Sequence, residues 1–109
     1  MDRRRILFIC SYNIDRSPTA EDTFKGMEGL EVKSAGVLPW AHNPVTKELI
    51  AWADEIYVME QRHEEALVEM VPSCEKKITV LGIPDIYRRG DPELVRLLRK
   101  KMRPYLNRG

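Results

Sequence analysis

The sequence contains no apolar run approaching the length of a membrane span, no low-complexity tract, no linker and no internal repeat. Its basic start, Met1-Asp2-Arg3-Arg4-Arg5, is followed by too few apolar residues before polar Ser11 to form a signal-peptide core. These absences leave a soluble, cytoplasmic chain as the expectation. With 109 residues there is room for one domain, 1–109, and no second. A formal net charge of +1 supplies no global field to recruit nucleic acid or a membrane surface. Arg96, Arg99, Lys100, Lys101 and Arg103 do crowd the C-terminal segment, where a solvated helix face accounts for them. His42 and His63 have no companions at ligand spacing, so neither a metal nor another cofactor is expected. Cysteine is almost absent: Cys74 lies in an apparent turn beside Pro72-Ser73, and Cys10 follows an apolar run.

The 43% of hydrophobic residues is enough for a core, and their pattern divides the chain into four repeats of apolar run and helical segment. Strands are expected at about Arg5 to Ile9, Leu30 to Ser34, Ile56 to Met59 and Lys77 to Leu81. The second alternates apolar with polar residues, as an edge strand with one wet face does. Helices are expected from Pro18 to near Met27, from Asn43-Pro44 through Ala53, from Gln61 to Val71 and from Asp91-Pro92 onward. Three of them would open with a capping residue plus proline, Ser17 being the cap of the first. Leu94, Val95, Leu98, Met102 and Tyr105 form the inner stripe of the last helix. The order βαβαβαβα implies an α/β fold with a four-stranded parallel sheet, order 2-1-3-4, and helices on both faces. Ligands of such sheets sit outside the carboxyl ends of the strands where the order reverses, beside strand one.

Cys10 stands at that point. The segment Cys10-Ser11-Tyr12-Asn13-Ile14-Asp15-Arg16-Ser17-Pro18 places a cysteine and an arginine five residues apart on a strand-to-helix turn. Cys-x5-Arg followed at once by Ser or Thr is expected by chance roughly 0.015 times in a chain of this composition, so the motif is informative. A loop of this kind wraps its N–H groups around an anion, the helix N-terminus adds positive partial charge, and Arg16 offers a bidentate fork. Cys10 would sit in that positive field, which suits a thiolate, the nucleophilic form of cysteine. A disulfide with Cys74 would sacrifice this nucleophile, so both thiols are read as reduced.

The chain resembles the low-molecular-weight protein tyrosine phosphatases, whose loop reads Cys-x-x-Asn-x-x-Arg-Ser-Pro at the same turn, with Cys10, Asn13, Arg16, Ser17 and Pro18 matching. Thr19-Ala20-Glu21, Ser34-Ala35-Gly36, Ala53-Asp54 through Met59, and Ile83-Pro84-Asp85-Ile86-Tyr87 extend the resemblance over nearly the whole chain, which looks like a trimmed, compact prokaryotic version. The resemblance implies a metal-independent phosphoric monoester hydrolase working through phosphocysteine. Cys10 would attack phosphorus, Arg16 and the N–H groups of Ser11, Tyr12, Asn13, Ile14, Asp15 and Arg16 would hold the phosphoryl oxygens, and Ser17 would donate to the Cys10 sulfur.

Asn13 suits a left-handed backbone, and by the same resemblance Ser34 is its hydrogen-bond partner. A phenolate leaving group needs a proton, for which Asp85 is the candidate. Asp91 is its runner-up, with helix capping the stronger reading. Family members have Asp-Pro-Tyr where this chain has Pro84-Asp85-Ile86-Tyr87. Asp15 replaces a second cysteine that many relatives carry next to the arginine, and its carboxylate is expected to turn outward. Tyr12, Trp40 and Tyr87 fall on loops that could wall the site for a phenyl ring, whereas Trp52 reads as core. Asp54 and Glu60 are read as a turn acid and a helix-start acid. The expected partner is a phosphotyrosine protein or small aryl phosphate, and the expected state a monomer or weak homodimer. Two alternatives remain: an arsenate reductase, which would need more thiols than Cys74 supplies, and a catalytically silent phosphate- or phosphopeptide-binding module.

Overall fold

Alternation along the first strand decides the architecture. In the computed structural model, which describes residues 3–106, β1 (Arg4–Cys10) sends Ile6, Phe8 and Cys10 to one apolar cluster and Leu7 and Ile9 to another. Burial on both faces requires helices on both faces, as a central parallel strand demands. Met1 and Asp2, part of the basic N-terminal stretch, lie outside the described residues. The remaining elements are α1 (Arg16–Phe24), β2 (Leu30–Gly36), α2 (Lys47–Trp52), β3 (Glu55–Val58), α3 (Gln61–Met70), a 3-10 turn (Pro72–Lys77), β4 (Ile78–Val80) and α4 (Pro92–Leu106). The four strands form one parallel sheet in the order β2-β1-β3-β4. Fold class and strand order are therefore those expected.

On one face Phe24 of α1 and Leu94, Leu98 and Met102 of α4 meet Ile6, Phe8 and Tyr57. Phe8 stacks on Phe24 with ring centroids 5.7 Å apart, and Tyr57 continues the aromatic row towards Tyr105 at 5.3 Å. On the other face Ile50 of α2 and Leu67 of α3 cover Leu7, Ile9, Ile56 and Val58. Each fully buried side chain of this size contributes about 1.5–3 kcal/mol relative to exposure. Val95 and Tyr105 of the expected stripe are only half-buried, and so is Trp52, which lies under the Lys33 ammonium at 4.5 Å.

Two helix starts differ from expectation. The first helix begins at Arg16, so Ser17 is its second residue rather than its cap, and Asp15 precedes it without a side-chain capping bond. The reason is tertiary: the Ser17 hydroxyl is drawn inward to the Cys10 sulfur at 3.0 Å. The second helix starts after Thr46, whose Oγ1 accepts from Leu49 N at 3.1 Å. Asn43-Pro44 instead forms an isolated parallel bridge beside the end of β2, with Gly36 N donating to Asn43 O and Val45 N to Gly36 O, each at 2.9 Å. Only the last helix opens with the expected acid and proline, Asp91 Oδ1 accepting from Glu93 N at 2.8 Å. Helix α1 also ends at Phe24, short of Met27, where a tight turn leads to Gly29 at φ 84°.

Candidate active site

Residues 11–15 join the carboxyl end of β1 to α1, at the point where the strand order reverses. Asn13 is the one described non-glycine residue with positive φ, 56°. Its Nδ2 donates to Ser17 Oγ at 2.8 Å and Ser34 Oγ at 3.0 Å, and Ser34 in turn donates to Glu21 Oε1 at 2.5 Å. Asn tolerates the left-handed region better than most residues, and these bonds hold it there. Beneath the loop, Gly36 pairs with Cys10 across β1 and β2. A Cβ at this position would stand 2.6 Å from Ser11 O and 3.0 Å from Asn13 N, so the loop's close approach requires glycine.

The carbonyls of Cys10, Ser11 and Tyr12 accept from Val37 N, Leu38 N and His42 N at 3.0, 3.2 and 2.9 Å. The backbone N–H groups of Tyr12 to Asp15 meet no acceptor among the described residues. Carbonyls tied to one side and free N–H groups make a cradle for an anion.

The cradle encloses a cavity of about 60 Å³ lined by Cys10, Ser11, Tyr12, Ile14, Asp15, Arg16 and Asp85. Pockets that engulf a drug-sized ligand measure roughly 300–1,000 Å³, so this one seats a headgroup and leaves the rest of a ligand outside. Arg16 is only 2% exposed. Its Nη1 donates to Glu60 Oε2 at 2.5 Å and Ile83 O at 2.7 Å, and Asp85 Oδ1 lies 3.6 Å from its Nε. A buried cation needs a counter-charge, and Glu60 at the end of β3 supplies it. Burial opposes Glu60 ionisation, but hydrogen bonds from Arg16 and then Arg62 outweigh it and hold the carboxyl below its ordinary range.

No protein-family model matches the chain. Among curated proteins it is 33% identical over 101 residues to the protein-arginine-phosphatase of Geobacillus stearothermophilus, covering 71% of this chain and 68% of the relative. It is 31% identical over 116 residues to the low molecular weight protein-tyrosine-phosphatase Wzb of Escherichia coli K12, covering 78% of this chain and 79% of that protein. The chain belongs to the low-molecular-weight protein tyrosine phosphatase family. Among solved structures, the tyrosine phosphatase Wzb of Escherichia coli K30 in complex with phosphate superposes with a TM-score of 0.79 at 25% identity, covering 94% of this chain and 96% of that one. The Streptococcus pyogenes low molecular weight protein tyrosine phosphatase, at TM-score 0.80 and 22% identity, shares the fold over 97% of this chain and 91% of its own.

In this member of the phosphatase family the structure brings Cys10, Arg16, Ser17 and Asp85 together, with Cys10 buried to 3% exposure and Asp85 at the mouth. Asp91 caps α4 and does not line the cavity. The Asp15 side chain turns to the backbone N–H of Arg89, at 2.9 Å from Oδ1. Of the three aromatic candidates, Tyr12 lines the cavity. Tyr87 instead packs half-buried against the core, and Trp40, 71% exposed, stands outside the lining. Sequence reasoning put Glu60 and His63 to structural use only. His63 is fully buried: its Nδ1 accepts from Glu60 N at 3.0 Å, which leaves the proton on Nε2 to donate to Ser11 Oγ at 2.9 Å. Burial, then the Arg16 charge, push the imidazole down to about 4. One signal was available beforehand. A buried arginine in the motif demands an acid near the end of a neighbouring strand, and Met59-Glu60 directly follows β3, the strand beside β1.

Proposed function

We propose that the protein is a cysteine-dependent phosphatase acting on phosphotyrosine in proteins or on small aryl phosphates, through a phosphocysteine intermediate. The observation that carries this reading is the Cys10 sulfur, within hydrogen-bond distance of Ser17 Oγ, in a headgroup-sized cavity shared with Arg16 and Asp85. In the first step the Cys10 thiolate forms the S–P bond as the P–O bond to the phenol breaks, and Asp85 gives its proton to the departing oxygen. Arg16 and the loop N–H groups bear the charge on the equatorial oxygens. In the second step water attacks phosphorus, the S–P bond breaks, the water proton passes to Asp85, and inorganic phosphate leaves. The Ser17 hydroxyl stabilises the departing thiolate.

Half-exposed Tyr12 and Ile14 give the mouth an apolar rim, which suits an aryl group better than a guanidinium. This favours phosphotyrosine over phosphoarginine, although the Geobacillus relative is named an arginine phosphatase. Two free thiols, both buried, support a reducing compartment such as the cytoplasm. Among the described residues no helix is long and apolar enough to cross a membrane. A monomer or weak homodimer working without nucleic acid completes the proposal. Cys10→Ser should abolish hydrolysis of p-nitrophenyl phosphate and of a phosphotyrosine peptide, and retained turnover would sink the mechanism. A phosphoarginine peptide assayed in parallel decides the substrate class.

A further inference from the structure

A carboxylate on the rim of an anion seat opposes the anion, so Asp15 needs a reason to be there. Its oxygen is committed to the segment that carries Asp85. Residues 82–90 leave β4 through Gly82, at φ 72°, and cross the end of β3 with Ile83 N on Met59 O at 2.8 Å. At its far end the segment is bound to α1 by a row of three side chains. Asp15 Oδ1 accepts from Arg89 N at 2.9 Å, Thr19 Oγ1 accepts from Gly90 N at 2.9 Å, and the Asp22 carboxylate holds the Arg89 guanidinium at 3.0 and 3.2 Å. Positions 15, 19 and 22 follow helical spacing, which aligns them on one face of α1 and the turn before it. Gly90, at φ 80°, lets consecutive N–H groups reach that face. Asp85 therefore hangs between two anchors, Ile83 near Arg16 and Arg89-Gly90 on the α1 row, and its own side chain is 47% exposed.

We infer that Asp15 is a positioning residue for the general acid: it ties the acid-bearing segment to the phosphate loop itself, so that the seat and the proton donor move as one body. This rests on the phosphatase reading above. Of the three anchors only Asp15 belongs to the phosphate loop, and it binds a backbone N–H, so the contact needs no particular side chain at position 89.

The test compares phenyl phosphate, whose leaving group needs the acid, with p-nitrophenyl phosphate, whose leaving group needs it less. Asp15→Ala should lose roughly tenfold more kcat on phenyl phosphate than on p-nitrophenyl phosphate. Asp15→Asn, whose Oδ1 still accepts from Arg89 N, should restore most of that difference. Amide hydrogen exchange over residues 84–90, which requires no turnover, should quicken in Asp15→Ala and stay as in the parent protein in Asp15→Asn. Equal losses on the two substrates, unchanged exchange in Asp15→Ala, or an asparagine variant as impaired as the alanine variant would each overturn the inference. A parent protein inactive on both substrates would instead overturn the phosphatase reading, while the exchange measurement still decides the anchor.

Discussion

The phosphate loop and the acid segment both rise from carboxyl ends of strands in the same sheet, yet they are held in different ways. Residues 10–17 are fixed by buried bonds: Asn13 to Ser17 and Ser34, Ser11 to His63, Arg16 to Glu60 and Ile83 O, with Gly36 pressed beneath. Residues 84–90 are mostly exposed and rest on Asp15, Thr19 and Asp22. The seat for a developing charge gains by being rigid before the ligand arrives, because preorganised dipoles need not reorient during reaction. On the proposed mechanism the acid segment, exposed and anchored at its two ends, keeps Asp85 at the mouth without closing over it. The difference teaches that the hold on each loop goes with its burial: the seat is built into the edge of the core, and the acid segment lies on the surface.

Three variants probe that contrast, in order of expected effect. Glu60→Ala strips the buried Arg16 of its carboxylate and should cost roughly 2–3 kcal/mol of stability by denaturant unfolding, since Glu60 is partly exposed and the full cost of a broken buried pair is not reached. It should also lower kcat/KM about 100-fold for every phosphoester, because the fork is no longer aimed. A loss confined to poor leaving groups would break the assignment of Glu60 to the seat. Asp85→Asn should do the reverse, costing about 100-fold on phenyl phosphate, several-fold less on p-nitrophenyl phosphate, and nothing measurable in stability. Equal losses on both would point to another acid.

The smallest effect is one of pH. His63 has its folded value depressed to about 4 from an ordinary 6.5, so between those values the unfolded chain binds more protons than the folded one. Stability is therefore intact above pH 6.5, falls as pH drops towards 4, and loses about 3 kcal/mol in all. Glu60, whose carboxyl also lies low, adds its own loss only below its ordinary value of 4.5. Urea midpoints between pH 7 and 4 should flatten in His63→Gln, and an unchanged slope would remove His63 from the support of the seat.

The strand order was legible because it follows from apolar runs and a handedness rule, and Cys10 to Arg16 from spacing and chemistry together. Helix starts were not. Ser17-Pro18 and Asn43-Pro44 carry the chemical signature of a helix start, but Ser17 is spent on the Cys10 sulfur and Asn43 on the edge of β2. Such uses are tertiary and leave no local trace. The same holds for His63, whose partner Ser11 lies 52 residues away, while Glu60, 44 residues from Arg16, could be sought only by asking what neutralises a buried arginine. The outward turn of Asp15 was anticipated, its acceptor role towards Arg89 was not, and only the crossing of residues 82–90 over β3 brings the two together.

The Ile83 carbonyl on Arg16 has a consequence for the order in which the molecule is made. A ribosome releases β1, the phosphate loop and β2 first, and by Met70 it has also supplied Glu60 and His63. The carbonyl that completes the Arg16 clamp, and the carboxylate that faces it, arrive only after β4 has been synthesised. A nascent chain thus owns Cys10 well before Asp85. Long-range pairing of this kind is the slow part of folding, so the site should be assembled last, as a late checkpoint on a correctly ordered sheet.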